Sequence, residues 1–152
     1  MSWDAYISTQ LTASGVICQA AILGKADMQI YAQEGGFALY PSYQANVTKE
    51  DGTEGVETID EVSEMLAFFT SGGTKMPKFG IRMNQVKYQL LKQAEGPLLY
   101  LKCSTGGACV AATNALVIVG IYKGAGNEAQ TMQVHCNATV EALADYLRQS
   151  GW

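Results

Sequence analysis

Apolar positions along this chain change period several times, and each change marks an element. Trp3, Ile7 and Leu11 fall four apart with Tyr6 beside them, one face of a short helix over residues 3–13 that Ser2 is placed to cap. "VICQAAILG" (16–24) and "MQIYAQ" (28–33) read as strands joined through "KAD" as a hairpin. From Thr58 onward Ile59, Val62, Met65, Leu66 and Phe69 form a helical stripe, with Thr58 and Glu61 at capping-box spacing and "SGG" as the stop. Five apolar runs follow: "FGIRM", "VKYQLLK", "PLLYLKC", "ACVAAT" and "ALVIVGIY". Only turn residues separate them, so they predict antiparallel neighbours, because parallel strands need long crossovers. "GAGNEAQ" then reads as a loop, and Val140, Leu143, Ala144 and Leu147 mark a C-terminal amphipathic helix.

The order is helix, two strands, helix, about five strands, helix. It predicts an α+β fold, a central antiparallel β-sheet with helices on its faces. No repeat or linker divides residues 1–152, which read as a single domain. The stretch between the first hairpin and the second helix fits no apolar period. Residues 50–64 hold seven of the fourteen acidic residues and no basic one. The segment at about 46–57 therefore reads as an acidic, solvated surface loop, a tolerated insertion.

Composition narrows the function classes. Hydrophobic residues make up 48% and charged residues 16% of the 152, as in an ordinary globular protein. A net charge of −4 gives no support for a nucleic-acid partner. No stretch approaches the roughly 20 apolar residues of a membrane span. No basic segment followed by an apolar run opens the chain, so no export signal is expected. Cys18, Cys103, Cys109 and Cys136 lack CxxC spacing and read as reduced thiols without a metal.

Candidate chemistry is sparse. "GAGNEA" (124–129) matches G-x-G-x-x-A after a strand, which raises a small nucleotide-binding domain or enzyme as an alternative. That fingerprint needs a helix opening there and a further parallel strand, and the remaining residues supply one helix and no strand. His135, the single histidine, neighbours Cys136; on a helix the two side chains diverge by about 100°, so a structural or helix-start role is expected. No catalytic residue, metal or cofactor is assigned, and the chain is read as no enzyme. Six of the ten basic residues lie between Lys75 and Lys102, opposed only by Glu95. This locally positive region inside an acidic chain suits an acidic partner.

Aromatics crowd both ends, where chains fray unless tied down: Trp3 and Tyr6, then Tyr146 and Trp152. Terminal helices lying side by side would bring these rings into one shallow floor. Such a floor suits a proline-rich segment, which is pre-set in polyproline II and offers carbonyls to Trp N–H and Tyr O–H.

"MSWDAYI", "IYAQEGG", "VKYQLLK" and "VEALADYL" together resemble segments of the profilin family, and the resemblance runs from residue 2 to 152 apart from the acidic loop. It implies a central antiparallel sheet with the N- and C-terminal helices on one face and shorter helices on the other. It implies a polyproline site at Trp3, Tyr6, Tyr31, Tyr146, Leu147 and Trp152, with Tyr31 where the family usually has tryptophan and Trp152 where it has tyrosine. It implies a separate site for globular actin at Lys87, Leu90, Lys92, Lys102, Val110, Met132, Asn137 and Glu141. Lys92 and Lys102 stand where arginine often occurs, and lysine lacks the bidentate fork. Implied partners are globular actin, proline-rich segments of actin nucleators or elongators such as formins, and phosphoinositide head groups on basic surface. The implied role is a monomeric, cytoplasmic, cytoskeleton-associated regulator of actin polymerisation that delivers actin to filament-assembly factors. A proline-binding scaffold without actin binding is the other alternative.

Overall fold

Ser2 caps the first turn as the sequence predicts: its hydroxyl accepts from the Ala5 amide at 3.2 Å. The computed structural model describes residues 2–124 and 126–152. Helix α1 (Trp3–Tyr6) widens at once into a π-helical turn over Ile7–Leu11, where the Thr12 amide reaches back to the Ile7 carbonyl. Within this segment the Thr9 hydroxyl bonds the Ala5 carbonyl at 2.6 Å, a side-chain competitor for backbone acceptors. Ile7 and Leu11 both stay buried through the wider turn.

Strands β1 (Ile17–Gly24) and β2 (Ile30–Glu34) form the predicted hairpin. The acidic segment departs from expectation. Residues 46–57 are not a loop: β3 (Tyr43–Thr48) and β4 (Glu54–Ile59) pair as an antiparallel ribbon, and only residues 49–53 turn. An isolated two-stranded ribbon is marginal in water. This one is pinned by Val47 and Ile59, both buried, and by a fully buried Glu61. The Glu61 carboxylate accepts from the Tyr40 amide (3.0 Å), the Tyr43 hydroxyl (2.6 Å) and the Gln85 amide (2.8 Å).

Helix α2 (Glu61–Thr70) therefore starts later than expected. Its N-cap is Asp60, accepting from the Ser63 amide at 3.0 Å, while Thr58 pairs with Gln44 inside the ribbon. The five predicted strands follow: β5 (Ile81–Met83), β6 (Val86–Ala94), β7 (Leu98–Cys103), β8 (Gly106–Ala112) and β9 (Leu116–Lys123). Helix α3 (Asn127–Gln149) opens right after the Gly-rich segment, so the expected loop there is shorter.

The seven-stranded sheet has the order β2-β1-β9-β8-β7-β6-β5, each neighbouring pair antiparallel. Both faces carry core. Val117, Val119 and Ile121 of β9 face α2, with Met65, Phe68 and Phe69. Leu116, Ile118 and Tyr122 face the other way, into a core with Ile7, Leu11, Val140, Leu143 and Leu147. The N-terminal segment and α3 thus share one face, and α2 lies on the other. Gly120 sets the approach of α3: a Cβ there would stand 2.6 Å from Val140 Cγ2 and 3.4 Å from Cys136 Sγ. No described helix is long and apolar enough to cross a membrane.

Candidate functional site

The shared face of α1 and α3 brings the terminal aromatics together. Trp3 lies 5.7 Å from Tyr6 between ring centroids and 4.9 Å from Trp152, the latter edge to face at 79°. Tyr31, from the neighbouring edge strand β2, stacks on the other side of Trp3 at 6.4 Å and 28°. Tyr6 continues the row to Tyr146 at 6.2 Å. Five rings, from α1, β2, α3 and the residues that follow α3, therefore form one unbroken strip. Its outer members are open to solvent: Tyr31 is 47% exposed, Tyr146 54% and Trp152 44%.

Leu147 is the exception among the predicted floor residues. It is fully buried, in the core beneath the rings, so its side chain supports the floor and touches nothing above it. It has no choice on this helix, since it falls four residues after Leu143 and seven after Val140. Its carbonyl accepts from the Trp152 amide at 2.9 Å. Burial first, and then the neighbouring Tyr146, push the Tyr6 phenol up from its ordinary value. A phenol is protonated at neutral pH in any case, and its O–H is the donor that a proline carbonyl needs.

Tyr31 has a local reason for its position. Its ring end hangs over Gly24, where a Cβ would stand 2.5 Å from the phenol oxygen. Trp152 also has a seat that the sequence did not announce. Its main-chain oxygen accepts from the Ala115 amide and from the Thr113 hydroxyl, both in the β8–β9 turn. Beside Tyr146 a shallow groove of about 340 Å³ continues along α3, lined by Gln10, Ala138, Thr139 and Ala142.

The second predicted set divides. β6 and β7 extend beyond the cover of α3, and their register places Lys102 opposite Gln89 and Lys92 opposite Tyr100. Cross-strand partners point to one face. Tyr100 packs into the α3-side core, so Lys92 shares the face of α3. Lys87, Lys92 and Lys102 are exposed. Lys87, Leu90 and Lys102 line one open groove of about 650 Å³ with Gly80 and Ser104. A second groove of about 550 Å³ joins Lys102 and Leu91 to the first turns of α3 at Ala129 and Gln133. Glu141 reaches this region through Tyr100, whose phenol is pushed up to about 12 by burial and then by the Glu141 carboxylate. Met132 and Asn137 are half-buried on α3, and Asn137 keeps a buried side-chain oxygen without a hydrogen-bond partner.

Val110 does not belong with them. It is fully buried and lies on the opposite, α2 side of the sheet. Leu90 leans to that side too, half-buried against the same core. Strand alternation explains both: Val110 is flanked by Cys109 and Ala111, which take the α3 side. Leu91, 44% exposed, and Gln133 line the second groove and were missed. The signal for Leu91 was a second leucine in an alternating strand, where a register shift between Leu90 and Lys92 lets it face out.

The remaining motifs resolve simply. Of "GAGNEA", Ala125 lies outside the described residues. A helix does open at Asn127, but every strand pairing among the described residues is antiparallel, whereas a dinucleotide fingerprint joins parallel strands. His135 sits well inside α3, not at its start, with Nε2 2.9 Å from the Ser14 hydroxyl. Cys136 points elsewhere, its thiol on the Gly120 carbonyl, and burial pushes that thiol up to about 12.

Comparison with known proteins agrees with this arrangement. The profile of the Profilin family matches residues 1–152. A profilin of Tetrahymena pyriformis is 34% identical over 156 aligned positions, covering 99% of this chain and 98% of its own. Among solved structures, Acanthamoeba castellanii profilin IA superposes with a TM-score of 0.70 at 25% identity, covering 99% of this chain and all of its own. Mouse profilin IIa, solved in complex with a double repeat from the FH1 domain of mDia1, shares the fold with a TM-score of 0.60 at 18% identity over the full length of both chains. With its whole length matched by one family and its sheet, terminal helices and aromatic strip in one arrangement, this chain belongs to the profilin family.

Proposed function

We propose that this protein binds globular actin on the basic face of β6 and β7 and proline-rich ligands on the aromatic strip, and that it delivers actin to filament-assembly factors. The observation that carries the reading is the strip itself. Five rings in contact, three of them open to solvent, come from residues at both ends of the chain and from β2. A fold that needed these rings only as core would bury them. The mouse relative solved with an FH1 repeat supports a proline-rich ligand here. Polyproline II segments lose little entropy on docking, and their carbonyls meet Trp and Tyr donors. Holding actin and a proline tract together raises the local concentration of actin at the tract. The role is delivery in the cytoplasm, with no catalytic group of this chain engaged.

Both tryptophans of the chain lie in the strip, so tryptophan emission reads it directly. Titration with poly-L-proline is expected to change that emission saturably, and Trp3→Ala, checked for folding by circular dichroism, is expected to abolish binding. A calorimetric titration without heat or saturation in the unaltered protein would withdraw the proline half of the proposal.

A further inference from the structure

The strip includes Trp152, and Trp152 is held by the turn between β8 and β9. Thr113 is 3% exposed, and its hydroxyl is engaged on both sides. It donates to the Trp152 main-chain oxygen at 2.9 Å and accepts from the Leu116 amide at 2.9 Å. The Ala115 amide donates to the same Trp152 oxygen. The turn itself is braced by Lys25, whose ammonium bonds the Thr113 carbonyl at 3.1 Å and whose amide bonds the Ala115 carbonyl at 2.9 Å. Two donors from one turn thus fix the backbone of Trp152. Its ring is 44% exposed and touches Trp3 edge to face; on the α3 side its backbone is held by the amide bond to the Leu147 carbonyl and the short Ser150–Gly151 link.

We propose that Thr113 is a positioning residue for the proline-binding strip: by holding the Trp152 backbone, it sets that ring at the angle to Trp3 that a proline tract meets. It rests on the proline-binding reading above. Thr113 itself touches no ligand. Its hydroxyl is a freedom-limiting group, since a ring already fixed loses less entropy when a ligand docks.

The test uses Thr113→Val, which keeps shape and removes the hydroxyl, and Thr113→Ser, which restores it. Poly-L-proline affinity is expected to fall about five- to tenfold in Thr113→Val, the equivalent of one lost hydrogen bond. Thr113→Ser is expected to stay within about twofold of the unaltered protein. In a Trp152→Ala background Thr113→Val should add almost nothing, because a positioning residue has nothing left to position. A merely structural role would lower affinity equally in both backgrounds, and that result overturns the proposal, as does a folded Thr113→Val with unchanged affinity. The near-ultraviolet circular dichroism of the Trp3–Trp152 pair gives a readout without ligand. It should change in Thr113→Val and revert in Thr113→Ser, even if poly-L-proline does not bind the unaltered protein and the functional reading fails. In the unaltered protein, saturating poly-L-proline should slow exchange of the Ala115 amide; unchanged exchange under saturation would also overturn the coupling.

Discussion

Single side chains here carry charge into places that hold little water. Glu64 is one: its Oε2 is buried without a partner, and its carboxyl is pushed up, first by burial and against the opposing pull of Arg82. The folded state therefore holds the Glu64 proton more tightly than the unfolded chain does. Its stabilising contribution is complete below the ordinary glutamate range and is lost as pH rises through the raised value. Glu64→Gln is expected to raise the thermal midpoint at about pH 7 and to leave it nearly unchanged near pH 3. A lower midpoint at neutral pH would show that attraction to Arg82 outweighs the cost of burial. Glu61 is the contrasting case. It is more deeply buried, yet it accepts three hydrogen bonds, which is what a buried carboxylate requires.

At the scale of elements, the β3–β4 ribbon has two parts with different tolerances. Residues 49–53 form an exposed turn, whereas Val47, Ile59 and the contacts to Glu61 lie within the packed structure. Replacing 49–53 by a two-residue Asn-Gly turn is expected to leave the thermal midpoint and poly-L-proline binding within error, since such turns match strand twist. Deleting the whole ribbon is expected to unfold or strongly destabilise the protein, because Glu61 would lose the Tyr43 hydroxyl as a donor and the core would lose Val47 and Ile59. Equal tolerance of both deletions would mean the ribbon is not pinned. This ribbon was also the least legible element in the sequence. Its acidic residues, Glu50 and Asp51 in the turn with Glu54 and Glu57 on β4, mask the short inward set of Val47 and Ile59. The five later strands were legible because their apolar runs are interrupted only by turns. The clustering of the terminal rings was legible because large aromatics at frayable positions need a packing partner. What stayed hidden was contact across the sheet: that Val110 and Leu147 lie inward, and that Thr113 meets Trp152 thirty-nine positions away. Periodicity reports which face a residue takes, and only the assembled sheet reports what that face meets.

Across the whole molecule, the aromatic strip and the basic face of β6 and β7 occupy different elements, so charge reversal on one should spare the other. Lys87→Glu is expected to weaken binding to globular actin at least several-fold in co-sedimentation or anisotropy assays, as for a charge placed against its complement. Poly-L-proline affinity should stay unchanged; a loss at both would join the two surfaces. The strand order has a consequence of another kind. β1 lies between β2 and β9, so the first hairpin waits with an open edge until residues 116–123 exist. The meander from β5 to β9 closes hairpin by hairpin, but the sheet becomes whole only when that last strand meets the first. Such distant pairing is slow, because chain closure is costly before contacts reward it. During synthesis, then, the β1 edge is the part of this protein most open to pairing with another chain, and the arrival of β9 is what closes it.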